Sequence, residues 1–205
     1  MSQHRALNGV EVSCAYLPRP LSAATRTRLR AQLSYGRRLR ASGSPRMQSQ
    51  SLVGVALACE LLTRLRQRPM RPWQLRYTVE GKPYVPGFPE FSIAHSGAWV
   101  VCALAGVGKI GIDVEAVPVG ARRAELAAWT LKEATLKAAG ARLQSLPQVQ
   151  LRGRRVHFQD QRWYCRAPTL SAGTIVRVVS SVPITRLRMR RIPVGRVVAW
   201  QEALG

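Results

Sequence analysis

IGIDVE, residues 110–115, alternates apolar and polar positions as a β-strand does. Side chains alternate across a strand, so Asp113 and Glu115 point to one face. Ile110, Ile112 and Val114 take the other face and are expected in the core. Gly111 shares the carboxylate face and leaves room beside Asp113. Two adjacent carboxylates repel unless a cation or proton sits between them. A hard divalent ion with oxygen ligands answers that repulsion. A solvated strand face paired with some of the abundant arginines answers it as well, and the pattern D-x-E alone favours this second reading.

Working forward, Pro118 and Gly120 precede a helix expected over residues 121–139, with Gly140 as its C-cap. A step of 100° per residue places Glu133 near Leu126, Trp129 and Lys137, on the apolar side, where an unpaired charge is costly. Glu133 and Lys137 stand four apart in the favoured order for an ion pair. A simple intrahelical pair accounts for them. The functional reading makes Glu133 a third oxygen ligand and Lys137 a contact for phosphate. Lys132 turns toward a different face.

Working backward, residues 106–108 read as a turn, and strands are expected at 99–105, 91–94, 75–79 and 10–17. A mostly buried helix is expected at 49–66, and an Arg-rich helical segment at 21–40, separated by a Ser/Gly/Pro break at 41–45. Beyond residue 140 the pattern reads as β throughout, at 156–158, 162–166, 174–180, 184–190 and 194–200. His95 ends the short strand in FSIAHSG (residues 91–97), and GKP lies just ahead at 81–83. A lone histidine is more often structural than catalytic.

The chain has 205 residues, 46% of them apolar, enough for a real core. With 32 Lys+Arg against 10 Asp+Glu the formal charge is +22. Such a surface attracts nucleic acid, anionic lipid, a phosphorylated small molecule or an acidic protein. Lys82, Lys109, Lys132 and Lys137 are the only lysines, and all fall where the motifs lie. Cys14, Cys59, Cys102 and Cys165 are widely spaced among apolar neighbours, as free thiols of a reducing compartment would be. The N-terminal residues carry no hydrophobic signal region and no apolar run is long enough to span a bilayer. A cytoplasmic protein without membrane attachment is expected.

GKP, FSIAHSG, IGIDVE and WTLKEATLKAAG (residues 129–140) resemble, in order and in internal spacing, the motif set of the 4′-phosphopantetheinyl transferase superfamily. The single-chain, pseudo-dimeric, surfactin-synthetase-activating branch is the nearest in pattern. The resemblance covers residues 81–140. It implies an α+β fold of two similar α+β halves, 1–108 and 109–205, packed with pseudo-two-fold symmetry and with the active site at the cleft between them. It implies Mg²⁺, with Mn²⁺ as an alternative, held by Asp113, Glu115 and Glu133. It implies coenzyme A as donor, with Lys137 on the pyrophosphate, Lys132 as the lysine of the KE pair, His95 on a nucleotide phosphate and Lys82 on the coenzyme. Glu133 is then the base and Lys137 its catalytic companion. The acceptor is a serine of an acidic acyl or peptidyl carrier protein, the by-product is 3′,5′-ADP, and the enzyme is a monomer.

Three departures accompany the resemblance. Only residues 116–128 separate the GIDVE-like and WxxKE-like motifs, where family members have a longer insert with a further acid. Ala94 precedes His95 where a hydroxyl is frequent. Gln50 stands where an arginine commonly meets the 3′-phosphate; Arg46, or Arg37 and Arg38, are the compensating cations. A family member that only binds coenzyme A or a carrier is the alternative reading. A basic nucleic-acid-binding protein ranks behind both: it accounts for the charge but not for IGIDVE, and aromatics are only 6%.

Overall fold

The computed structural model of the chain describes residues 9–34, 43–153 and 155–204. Two sheets pack face to face, and helices cover both outer faces. The first sheet has the order β11-β1-β5-β4, formed by β1 (Val10–Tyr16), β4 (Phe91–Ser96), β5 (Trp99–Ala105) and β11 (Leu187–Arg191). The second has the order β6-β10-β9-β8-β7. Its strands are β6 (Ile110–Ala116), β7 (Gln150–Arg152), β8 (Arg155–Phe158), β9 (Gln161–Arg166) and β10 (Thr174–Ser180). A short hairpin pairs β2 (Arg76–Tyr77) with β3 (Pro83–Tyr84). The architecture is α+β, as the sequence implies.

Strand alternation builds the inner layer. Val12, Val101, Ala103, Ile110, Ile112, Val114, Val176 and Val178 form one apolar cluster between the sheets. Burial of these side chains is the main driving force for stacking the two sheets. The opposite faces carry the helices. The first sheet is covered by α2 (Pro45–Arg66), flanked by α1 (Ala23–Ala31) and α4 (Val194–Glu202). The second is covered by α3 (Arg123–Ala139), which packs on Val156, Phe158, Trp163 and Val179.

Local signals explain where the helices begin and end. Ser44 caps α2, accepting a hydrogen bond from the Met47 amide, and Pro45 occupies its first turn. Helix α2 therefore starts at Pro45, the last residue of the Ser/Gly/Pro break and four residues ahead of the expected boundary. Gly140 ends α3 in the left-handed region at φ 70°, as expected of a C-cap glycine.

The last third departs from the all-β expectation. Residues 194–202 form α4, not a strand, and its buried Val197 and partly buried Val194, Val198 and Trp200 join the α2 cluster. Their β-branched character suggested a strand, but their spacing suits one helix face, and tertiary packing decides. Strand β11 starts at Leu187, β7 was not anticipated, and only Arg76–Tyr77 of the 75–79 stretch pairs. Among the described residues of the Arg-rich segment, Ala23–Ala31 are helical; Arg37 and Arg38 lie outside the described residues. Strand β11 runs parallel to β1, so residues 187–202 return to the layer built by the first hundred residues. No helix among the described residues is long and apolar enough to cross a membrane.

Candidate metal centre

Strand β6 is where the two sheets meet. Its inner residues Ile110, Ile112 and Val114 are fully buried. Its outer face carries Gly111, Asp113 and Glu115 against α3. A Cβ on Gly111 would lie 2.0 Å from the Ala134 carbonyl oxygen and 2.4 Å from the Ala138 amide nitrogen. The missing side chain thus lets the helix backbone rest directly on the strand. That contact sets Glu133 and Lys137 over Asp113. Gly54 gives α2 room of another kind: a Cβ there would lie 2.6 Å from the side-chain Cγ2 of Ile93 on β4.

The edge strands β4 and β6 are stitched by side chains. The amides of Ile112 and Ala116 donate to Ser92 Oγ (3.2 Å) and Ser96 Oγ (3.1 Å). This seam brings β4, the strand that carries His95, beside the carboxylate strand.

Carboxylate oxygens of Asp113, Glu115 and Glu133 all lie within 4.8 Å of one another. Lys137 Nζ donates to Asp113 Oδ1 at 2.7 Å, while Asp113 Oδ2 is buried and has no hydrogen-bond partner. Ser96 Oγ donates to Glu115 Oε2 at 2.7 Å. Burial raises the Asp113 pKa from its ordinary 3.8 to about 6; Lys137 pulls it down, and Glu133 and Glu115 push it up. A buried, orphaned carboxylate oxygen facing two more carboxylates is the environment a divalent cation satisfies. The donor set is all oxygen, which suits Mg²⁺ or Mn²⁺ better than a soft metal.

The three carboxylates and Lys137 line a cleft of about 250 Å³ with His95, Tyr77 and Ser51. Burial, then the Lys137 charge, lowers the His95 pKa, so the imidazole is neutral at pH 7. Neutral His95 can donate one N–H to an anion without adding a full charge.

The other expected contacts lie elsewhere. Lys82 Nζ is bonded to Glu90 and, at 3.2 Å, to the Ala138 carbonyl at the end of α3, while its neighbours Gly81 and Pro83 line the cleft. Arg46 Nη2 donates to the Gly97 carbonyl (2.6 Å) and Nη1 to the Pro18 carbonyl (3.1 Å). Gln50 Nε2 also donates to the Gly97 carbonyl, at 2.9 Å. Both therefore hold the turn that follows His95. Lys132 is half-buried on α3 and does not line the cleft. Glu133 and Lys137 do not pair with each other; Lys137 reaches across to Asp113 instead. Ser96 and Glu90 went unnoticed in the sequence, where only their place next to His95 and the GKP stretch could have marked them.

No protein-family model matches the chain. A 4′-phosphopantetheinyl transferase from Bacillus subtilis is 33% identical over 112 residues, 51% of this chain and 48% of the relative. The 4′-phosphopantetheinyl transferase Sfp of Bacillus subtilis (strain 168) is 31% identical over 106 residues, 49% of this chain and 46% of the relative. The match spans about half the length of each relative. The resemblance to the 4′-phosphopantetheinyl transferase superfamily is thus carried by extended similarity as well as by the motifs, and the surfactin-synthetase-activating branch fits.

Proposed function

We propose that this chain is a 4′-phosphopantetheinyl transferase. It moves 4′-phosphopantetheine from coenzyme A to a serine of an acidic acyl or peptidyl carrier protein, with Mg²⁺ dependence and release of 3′,5′-ADP. The observation that carries this reading is the convergence of Asp113, Glu115 and Glu133 within 4.8 Å, with Lys137 on Asp113. The similarity to two transferases of that name supports it.

Asp113, Glu115 and Glu133 would hold the Mg²⁺. The ion, when bound, would offset negative charge on the pyrophosphate and its leaving group. Lys137, half-exposed beside Asp113, turns toward a phosphate oxygen once the carboxylates are engaged. His95, kept neutral, donates to a second phosphate. The serine oxygen attacks the β-phosphorus, forming a phosphodiester; the bond from phosphorus to the 3′,5′-ADP oxygen breaks. The serine proton passes to a Glu133 carboxylate oxygen. Lys82 would reach the coenzyme only by leaving Glu90, and Lys132 and Arg46 contribute charge from outside the cleft. For the 3′-phosphate the sequence offers Arg46, or Arg37 and Arg38, the last two outside the described residues.

Each sheet carries one long helix on its outer face, α2 or α3. This supports two similar halves divided near residue 108 and related by a pseudo-two-fold axis, with residues 187–202 crossing back. The cleft between α2–β4 and β6–α3 would then be the coenzyme site. Four free cysteines fit a reducing cytoplasm, where the enzyme would act as a monomer.

The test is direct. The protein is incubated with coenzyme A, Mg²⁺ and apo-carriers of fatty acid, polyketide and nonribosomal peptide type, and each carrier is weighed by mass spectrometry. One carrier gains a single phosphopantetheine group, and the gain disappears with Asp113→Ala, Glu133→Ala or EDTA. Coenzyme A binding without a mass gain on any carrier would make the chain a binding protein instead.

A further inference from the structure

We infer that Ser96 is the positioning residue that holds Glu115 in the metal centre, an inference that rests on the divalent-cation reading of Asp113, Glu115 and Glu133. Its hydroxyl has two partners of opposite kind. Ser96 Oγ accepts from the Ala116 amide at 3.1 Å, which leaves its single proton for Glu115 Oε2 at 2.7 Å. A hydroxyl has one donor, so accepting from the backbone fixes the direction in which it gives.

Glu115 needs such a tie. Asp113 is buried and held by Lys137, but Glu115 is only half-buried, is longer, and has no ion-pair partner among the described residues. With two other carboxylates inside 4.8 Å, repulsion drives it outward. The bond from Ser96 holds one oxygen and leaves the other for the cation. Outer partners of this kind orient the ligands that touch the metal.

Ser96 is itself anchored. Gly97, at φ +56°, turns the chain tightly after it, and a Cβ at Gly97 would lie 2.9 Å from Ala116 Cβ. The Gly97 carbonyl accepts from Arg46 and Gln50 at the start of α2. The turn is therefore pinned between α2 and β6, and Ser96 cannot follow Glu115 if it swings away. Arg46 and Gln50 thereby acquire a role in shaping the centre from the far side of the turn.

Ser92 supplies the control. It makes the same kind of seam bond, from the Ile112 amide, but touches no carboxylate. Mn²⁺ binding to the purified chain is followed by electron paramagnetic resonance, with thermal unfolding measured in parallel. Ser96→Ala is expected to weaken Mn²⁺ binding about tenfold. Ser96→Thr, which keeps the hydroxyl, retains the wild-type affinity. Ser92→Ala lowers the unfolding temperature but leaves Mn²⁺ affinity unchanged. Equal affinity of Ser96→Ala and wild type, or equal weakening by Ser92→Ala, overturns the assignment while the metal centre stands. Mn²⁺ binding that is absent in the wild type, or indifferent to Asp113→Ala, overturns the metal reading and the role of Ser96 together.

Discussion

Lys137 Nζ sits 2.7 Å from Asp113 Oδ1, joining helix α3 to strand β6 across 24 residues of chain. It passes over Glu133, its neighbour one helical turn away. The choice follows from burial: the Asp113 side chain is 4% exposed and that of Lys137 35%. A carboxylate in so little water draws the nearest cation more strongly than the half-buried Glu133 does.

Lys137→Ala is therefore expected to cut transfer by tenfold or more, roughly the loss of one charged contact to a phosphate, while changing stability little at pH 6 or below. Asp113 can take up a proton there when its partner is removed, because burial already raises its pKa. Steady-state turnover and urea unfolding of the same variant check both halves. Unchanged turnover with a small stability loss would leave Lys137 a structural partner only.

Asp113 also gives the metal-free protein a pH dependence of defined sign. Its folded pKa, about 6, lies above the ordinary 3.8. The stability it contributes is complete below pH 3.8 and is lost as pH rises through 6. The difference is of order 3 kcal/mol. Urea midpoints in EDTA, compared with those of Asp113→Asn, should fall between pH 4 and 6 in the wild type by more than in the variant. Adding Mg²⁺ above pH 6 should recover the loss.

Gly111→Ala should cost about 3 kcal/mol, the upper end for an overpacked site, because its Cβ meets helix backbone on two sides rather than a movable side chain. It should also weaken Mn²⁺ binding, since α3 carries Glu133 away from Asp113 when it lifts. Thermal unfolding and Mn²⁺ titration read the two effects separately.

Salt should act mainly on the encounter with the carrier protein. The chain carries a net +22, and exposed charges are screened over about 8 Å at physiological ionic strength. The KM for carrier should climb with added NaCl faster than the KM for coenzyme A, at fixed free Mg²⁺. A flat carrier KM with weakening coenzyme A affinity would assign the arginine surface to the nucleotide.

Much of the centre was legible because it depends on short-range periodicity. Strand alternation alone put Asp113 and Glu115 on one face and Ile110, Ile112 and Val114 in the core, where all three are fully buried. Helical spacing alone put Glu133 and Lys137 on one side of α3, and Gly140 marked its end. The strand expected at 194–200 is part of a helix instead: valine-rich turns of helix and strands share a composition, and only contact with α2 separates them.

Which side chains share a face follows from bond geometry within a few residues, and could be read from the chain alone. Which partner each one takes is settled by the packing of elements far apart in the chain. Lys137 chooses Asp113 over Glu133, Lys82 turns to Glu90, and Ser96 finds Glu115. Those choices depend on distances between elements, and the distances are set by how closely the backbones pack. At Gly111 a helix rests directly on a strand, at Gly54 a helix closes on the Ile93 side chain, and these approaches bring the carboxylates, the lysine and the histidine strand to one place.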